Sequence, residues 1–316
     1  MKQSNMRMLA NLETYLRPPH LVGPSRYSYQ QEIKKILPGI INDDDKVLDF
    51  GAGNGNNRFF FEGWDLKGFD ISEASIKKIT DHDGYFVADG QSVDMLTDES
   101  VDFIYCNWVL EYIPDPSRAL GEMYRLLRPG GRAYLGLPTP LEKIVNEGGA
   151  LFLRLINGRK NLMVDGADEI YFSCFDIKQR LANAGFDSVE IHLTAGPCIS
   201  LMKLLMIYLN QVRLVIVKIF IELPLRLYTR IRGLEWQGSH LAEKVKKAKG
   251  SSYPTIDTSK QKSREEFRNY LESLRLEPVG FFSRIYVLFL KLAHWVDIKL
   301  PDKLAFEIAV VARKDG

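Results

Sequence analysis

The stretch KVLDFGAGNGNNRFF, residues 46–60, places Gly51, Gly53 and Gly55 two apart, just behind an aspartate that closes a short apolar run. A strand, a glycine turn and a helix start make a cradle of backbone N–H groups at a sheet edge. A turn that holds a diphosphate has the spacing GxGxxG, and a carboxylate at the position of Asp49 would repel that ligand. Here the spacing is GxGxG and the carboxylate is present. An ammonium group would be attracted to it instead. The competing reading is a tight turn that only packs.

Further residues extend the pattern in chain order. Asp70, followed by Ile71, stands 21 residues after Asp49, where a carboxylate can accept from both hydroxyls of a ribose. Asp89 can accept from an adenine amino group, with Gly90 leaving room for the ring. Asn107 and Trp108 follow another apolar run, where a reactive group on the ligand would emerge. Asp70 could also cap a helix with Ser72, and Asp89 could be a turn aspartate. S-adenosylmethionine carries the ammonium, ribose and adenine that these positions call for, and it has no phosphate.

The elements that must position these residues alternate apolar runs with helical patterns, which predicts an α/β fold with a doubly wound, mostly parallel sheet. KVLDFG, LKGFDIS, YFVADG, VDFIYCNW and GRAYLGLP read as five successive strands. Between the last two, Ala119, Leu120, Met123, Leu126 and Leu127 share one helical face, and Pro129-Gly130-Gly131 marks the end of that helix. FDIKQRLANAGF reads as a helix, DSVEIHL as a strand, and AFEIAVVARK as the final strand. The expected organisation is an N-terminal helical cap over 1–40, a core over 41–195, a basic helical insertion over 196–303 and a last core strand over 304–316.

The segment VLEYIPDPSRALGEMYRLLRPGGRAYLGLP resembles class I S-adenosylmethionine-dependent methyltransferases of the type with LEHVPDP followed by LLRPGG. The resemblance runs from about Asp45 to Leu193 and includes the final strand. It implies a Rossmann-like sheet of seven strands with the last one antiparallel. It also implies that Gly51, Gly53 and Gly55 line the cofactor turn, Asp70 binds ribose, Asp89 meets adenine and Asn107 lies near the methionine end. Two departures stand out. The segment after the glycine turn is short, as in relatives acting on surface glycans or lipid-linked intermediates. Tyr112 also stands where relatives have histidine, which removes a Glu-His pair that could support a metal or a base.

Methyl transfer from a sulfonium is an in-line displacement that needs alignment and exclusion of water more than it needs a catalytic group. A base helps when the acceptor must lose a proton. Glu111, Tyr112 and Tyr171 are the candidates for that role, with His20 and His192 as further ones; for each, a purely structural role competes. The apolar run reaches CNWV rather than the Asn-Pro-Pro-aromatic signature of amide and adenine-amino methylation. Cys106 has no neighbouring proline, so a cysteine nucleophile is not indicated.

The composition, 46% hydrophobic and 26% charged over 316 residues, is that of a globular chain long enough for one large domain with an appendage. Cys106, Cys174 and Cys198 form no CxxC pair, so neither a disulfide framework nor a metal site is indicated. Together with an N-terminus lacking a signal-like apolar run, this predicts a cytoplasmic protein. Residues 196–303 hold 19 Lys and Arg against 10 Asp and Glu, a surplus of nine that leaves the rest at −7 for a total of +2. Two strongly apolar stretches, 199–231 and 281–300, carry interspersed cations. Three readings compete for them: a helical lid on the core, docking at the inner membrane surface, and a homodimer interface. The expected partner is a small or lipid-linked hydroxyl acceptor such as a glycan precursor. RNA methylation and a non-catalytic cofactor-binding role are the alternatives, but the basic residues lack the aromatic interleaving of a nucleic-acid surface. Arg26, Tyr27 and Tyr29, preceding the first strand, are candidates for touching the acceptor or for capping the surface.

Overall fold

The computed structural model describes residues 3–79, 83–144, 169–216, 268–269, 271–273, 275, 279, 281–301 and 304–316. Two helices, α1 (Gln3–Tyr15) and α2 (Pro24–Ile40), precede the sheet. Then follow β1 (Lys46–Phe50), β2 (Asp65–Asp70), the short α3 (Glu73–Ile76), β3 (Tyr85–Val87) and β4 (Val101–Asn107). The second half has α4 (Pro116–Leu126), β5 (Leu127–Pro138), α5 (Cys174–Ala184), β6 (Ser188–Ala195), α6 (Pro197–Ile216), α7 (Phe281–Asp297) and β7 (Glu307–Arg313).

The seven strands lie in the order β3-β2-β1-β4-β5-β7-β6. β1 to β5 pair in parallel, and β7 runs antiparallel between β5 and β6. The order reverses between β1 and β4, and in such sheets ligands bind outside the C-terminal strand ends at that reversal. The predicted fold class and its antiparallel last strand are both present.

Period-two alternation decides which residues face which helical layer. Leu48, Phe50, Ile104 and Cys106 face Leu120 and Met123 of α4 and Leu181 of α5. Val47, Phe103 and Tyr105 face the other way, onto Leu12 of α1, Ile33 and Leu37 of α2, and Phe61. Each fully buried Leu or Phe in these layers contributes roughly 1.5–3 kcal/mol, so the strand ends are held on a rigid frame.

Two local readings are revised. The segment after the glycine turn is a 3₁₀ helix, Asn56–Phe61, rather than an α-helix. Its three phenylalanines are all buried against the N-terminal helices, which draws the chain quickly back into β2. The Pro129-Gly130-Gly131 run does not follow the end of α4 directly. The helix stops at Leu126, and β5 begins at Leu127, where the chain pairs with Val101 before Gly130 turns at φ +80°.

Helices α6 and α7, which lie between β6 and β7 in the chain, pack on α2 and the end of β6. Asp297 ties them together: its carboxylate accepts from the N–H groups of Gly196 (3.0 Å), Cys198 (2.9 Å) and Ile199 (2.8 Å) at the start of α6. His294 of α7 bridges to α2, with Nδ1 2.8 Å from the Ser28 hydroxyl and Nε2 3.2 Å from Glu32. No described helix is long and apolar enough to cross a membrane. Residues 217–231 of the first apolar stretch lie outside the described residues.

Candidate functional site

The glycine turn leaves β1 at the order reversal. Gly51, Gly53 and Gly55 all adopt left-handed backbone, with φ of +73°, +53° and +68°, which explains glycine at each position. Their surroundings differ. A Cβ on Gly51 would collide with Val109, and one on Gly55 would lie 2.6 Å from Ile79, whereas nothing stands within 4 Å of Gly53. Gly53 is therefore the point where the turn opens to a ligand, and its flanking glycines seat the turn against the protein.

Asp49 is 1% exposed beneath that turn. Burial pushes its pKa up to about 7, a rise that nearby Asp70 reinforces; hydrogen bonds from Tyr85 and Asn57, and the charge of Arg58, oppose it. Arg58, which the sequence reading missed, is itself buried and donates to the Gly55 carbonyl at 2.7 Å, bracing the turn from behind. Its only signal in the sequence is a charge directly before the apolar run Phe59-Phe60-Phe61.

Asp70 ends β2 with one oxygen accepting from Gly53 N–H and the other from Ser72 N–H, each at 2.8 Å. Each oxygen retains a lone pair for a ribose hydroxyl. Ser72 separately caps α3 through Ser75 N–H, so the capping and ligand roles coexist. Ile71 beside it is 73% exposed, an apolar surface at the mouth of the cradle. Asp89 is exposed, and its carboxylate accepts from the Gln91 backbone N–H at 2.9 Å, the geometry of a turn aspartate. The expected room above Gly90 is already taken: a Cβ there would lie 2.8 Å from the Phe50 ring, so this glycine serves packing within the protein.

Asn107 closes β4 with its side-chain oxygen resting over Gly136 of β5 and no hydrogen-bond partner. Trp108 follows at φ +58°, a strained backbone for a bulky side chain, held by its N–H donating to Gly136 O at 3.0 Å. Strain of this kind is retained where the surroundings over-determine it, and here it sits between the two halves of the cleft.

The other half of the strand-end edge, from β4 to β7, is stitched by backbone bonds. Ile170 N–H donates to Glu111 O, Phe172 N–H to Pro138 O, Thr139 N–H to Phe306 O, and Phe306 N–H to Ala195 O. Glutamates collect along this band. Glu111 is 1% exposed, and burial raises its pKa to about 8; its own backbone N–H opposes the rise, while Glu169 and Glu307 add to it. Glu142 pairs with Lys203 of α6, and Glu307 opens β7; both are buried, and burial raises both pKa values.

Tyr112 and Tyr171 both donate to Glu169, at 3.2 and 2.7 Å. Tyr112 is half exposed, with its pKa pushed up to about 12 by partial burial and the nearby glutamates. The structure thus brings Glu111, Tyr112 and Tyr171 to one region around Glu169. It places His192 elsewhere, in mid-β6 opposite Ala309, away from the strand ends. The side chain of His20 lies outside the described residues. Tyr27 and Tyr29 are corrected as acceptor contacts: both are buried, Tyr27 packing edge-on to His294 and the Tyr29 hydroxyl bonding to that of Tyr105. Arg26 stays exposed above the Tyr29 ring. Among the described residues no group of three His, Cys, Asp or Glu is arranged to hold a metal ion.

Residues 48–135 match the model of a methyltransferase domain. A ubiquinone biosynthesis O-methyltransferase of Pseudomonas savastanoi pv. phaseolicola is 30% identical over 134 residues, 39% of this chain and 54% of that protein. The enzyme of the same name from Pseudomonas putida strain GB-1 is 28% identical over 131 residues, with the same two shares. The chain thus spans about half the length of these relatives. A solved S-adenosylmethionine-dependent methyltransferase of Archaeoglobus fulgidus superposes with a TM-score of 0.43 at 14% identity, over 90% of this chain and 92% of that one. The fold assignment rests on the sheet order described above. Over residues 48–135 the chain is thus similar to methyltransferase domains, and its sheet order is that of an α/β fold with an antiparallel last strand.

Proposed function

We propose that this protein transfers the methyl group of S-adenosylmethionine to a hydroxyl of a small or lipid-linked acceptor. The observation that carries the proposal is the turn open at Gly53, lying over buried Asp49 at the reversal of the sheet. When bound, the cofactor supplies an electrophilic methyl on a sulfonium, whose bonding electrons stay with sulfur on transfer. Asp49 would face the ammonium of the methionine part, Asp70 the ribose, and Ile71 and Asp89 the adenine side. Glu111, buried with its pKa raised to about 8, would take the hydroxyl proton in its ionised form, which prevails above that pH, as oxygen bonds to carbon; Tyr112 and Tyr171 would orient the acceptor. The likeness to O-methyltransferases over the core supports transfer to oxygen.

The buried state of Asp49 makes a pH dependence. Below about 7 its carboxyl is neutral in the free protein, and a cationic ligand requires the ionised form. Affinity for S-adenosylmethionine should therefore rise by up to about tenfold per pH unit as pH climbs toward 7 and level off above it. Calorimetric titrations between pH 5.5 and 8.5 test this, and an affinity flat across that range would exclude Asp49 as the ammonium partner.

An acceptor carried on a membrane is the form favoured by α6 and α7. Leu201, Leu205, Leu288, Phe289, Leu292 and Trp295 are each more than half exposed. Beside them Arg284 and Lys291 rim an apolar groove of about 510 Å³ that includes Pro19 and Leu288. Apolar side chains flanked by cations suit an anionic lipid surface. The triple variant Leu288→Ser, Phe289→Ser, Leu292→Ser should lose sedimentation with phosphatidylglycerol vesicles while retaining cofactor affinity. Equal sedimentation would exclude this face, and a parallel change from dimer to monomer would assign it to a homodimer.

A further inference from the structure

Asp49 belongs to the cofactor half of the cleft, across the order reversal from the acceptor half proposed around Glu111. By strand alternation it shares the face of Val47, which is packed against the N-terminal helices. In the register of the sheet Asp49 lies beside Gly68 of β2, and Gly68 lies beside Tyr85 of β3. Gly68 has no positive φ, so its dihedral angles do not require glycine. The requirement is space, because a Cβ there would lie 2.2 Å from the Tyr85 ring. Glycine inside a strand costs roughly 0.5–1 kcal/mol and marks a place where another group comes close. Here the ring of Tyr85 lies across β2, and its hydroxyl donates to an Asp49 carboxylate oxygen at 3.4 Å.

The other groups around Asp49 are placed differently. Tyr105 of β4 is its neighbour on the opposite side, but the Tyr105 hydroxyl is bonded to that of Tyr29 from α2. Burial raises the pKa values of Tyr29 and Cys106, and the charge of Asp49 adds to both rises. Asp70 of β2 brings a like charge. From the 3₁₀ helix, Asn57 donates to Asp49 and Arg58 adds a positive charge, while the Arg58 guanidinium also donates to the Gly55 carbonyl. Against burial, which raises the Asp49 pKa to about 7, the Tyr85 hydroxyl is the foremost opposing group. A donor to a carboxylate favours its charged form.

We infer that Tyr85 is a positioning residue of the cofactor site: reaching over Gly68 from β3, its hydroxyl holds the Asp49 carboxylate in the charged form that the ammonium of S-adenosylmethionine requires. This rests on the reading of Asp49 as the ammonium partner and names the residue that tunes it. In this role Tyr85 acts only through Asp49. Gly68 gains a functional reason as well, since a side chain there would push the ring off its seat and take the hydroxyl away from Asp49.

The test is calorimetric titration of the full wild-type chain and Tyr85→Phe with S-adenosylmethionine between pH 5.5 and 8.5. Methylthioadenosine, which has the adenine, ribose and sulfur but no ammonium, is titrated alongside. Phenylalanine keeps the ring over Gly68 and removes the donor. The rise of S-adenosylmethionine affinity toward pH 7 should move up by about half a pH unit in the variant. Its affinity at pH 6 then falls about threefold, while at pH 8.5 the two proteins agree. Methylthioadenosine should bind both proteins equally at each pH. A variant curve that coincides with that of wild type overturns the inference. So does an equal loss of methylthioadenosine affinity, the result that a merely structural role for Tyr85 in β3 would give. A wild-type S-adenosylmethionine affinity that is flat across the range would instead overturn the assignment of Asp49 to the ammonium, on which the inference rests.

Discussion

Replacing Asp297 by alanine is expected to cost roughly 3–5 kcal/mol of stability, the range for stranding several buried donors that faced one charge. The side chain is fully buried, and its two oxygens hold three N–H groups at the start of α6, donors that have no intrahelical partner by construction. The charge also lies at the positive end of the α6 dipole. Gly196 is packed so close that a Cβ there would sit 2.7 Å from the Asp297 carboxyl carbon, leaving little space for water to replace the lost acceptor. Asn keeps the shape and one acceptor, so Asp297→Asn should lose less than half as much. Chemical denaturation followed by circular dichroism measures both variants. A loss under about 1 kcal/mol for alanine would mean that α6 and α7 are held by their apolar contacts instead.

The consequence for function is local. Lys203 of α6 meets Glu142 in the acceptor half, and α7 meets α2 through His294, Ser28 and Glu32. Loosening Asp297 therefore disturbs the side of the cleft proposed to receive the acceptor. The cofactor half, built by β1, β2 and the glycine turn, depends on different packing and should keep its affinity.

That division also explains what could be read from the chain. The glycine turn and its carboxylates were legible because their constraints are local. Left-handed turns demand glycine at Gly51, Gly53 and Gly55, and the carboxylates at Asp49 and Asp70 sit at the ends of apolar runs that declare themselves as strands. The sheet was legible for the same reason, since buried parallel strands are short apolar runs between helical patterns. Gly90 was misread because a glycine beside an aspartate looks alike whether it makes room for a ligand or for Phe50. Tyr27 and Tyr29 carry a polar tip that a sequence cannot aim; burial against α7 and Tyr105 aimed both inward.

The acceptor half was nearly silent. Glu142, Glu169, Lys203 and Glu307 come from segments far apart in the chain, and no spacing connects them. Only the antiparallel insertion of β7 between β5 and β6 brings Glu307 to the ends of its neighbours, opposite Pro138 and Ala195. A lone glutamate at the head of the apolar run EIAVVAR is a signal visible in retrospect, because a charge that opens a central strand must be buried with it. Asp297 gave no signal either: its partners lie about a hundred residues away in sequence, across the whole insertion.

The proposed function depends on the cofactor site, and within that site most directly on Asp70. Its two oxygens already bind Gly53 and Ser72 N–H, so the carboxylate both shapes the turn and presents its remaining lone pairs outward. Removing it deletes two charge-assisted hydrogen bonds to a ribose and releases the turn, together about 3 kcal/mol or more, which is about a hundredfold in affinity. Calorimetric titration of the wild-type chain and Asp70→Ala with S-adenosylmethionine and S-adenosylhomocysteine measures this directly. The predicted result is saturable wild-type binding with a Kd of about micromolar order, weakened about a hundredfold in the variant. A folded wild-type chain that binds neither compound, or a variant that binds both as well as wild type, would contradict it.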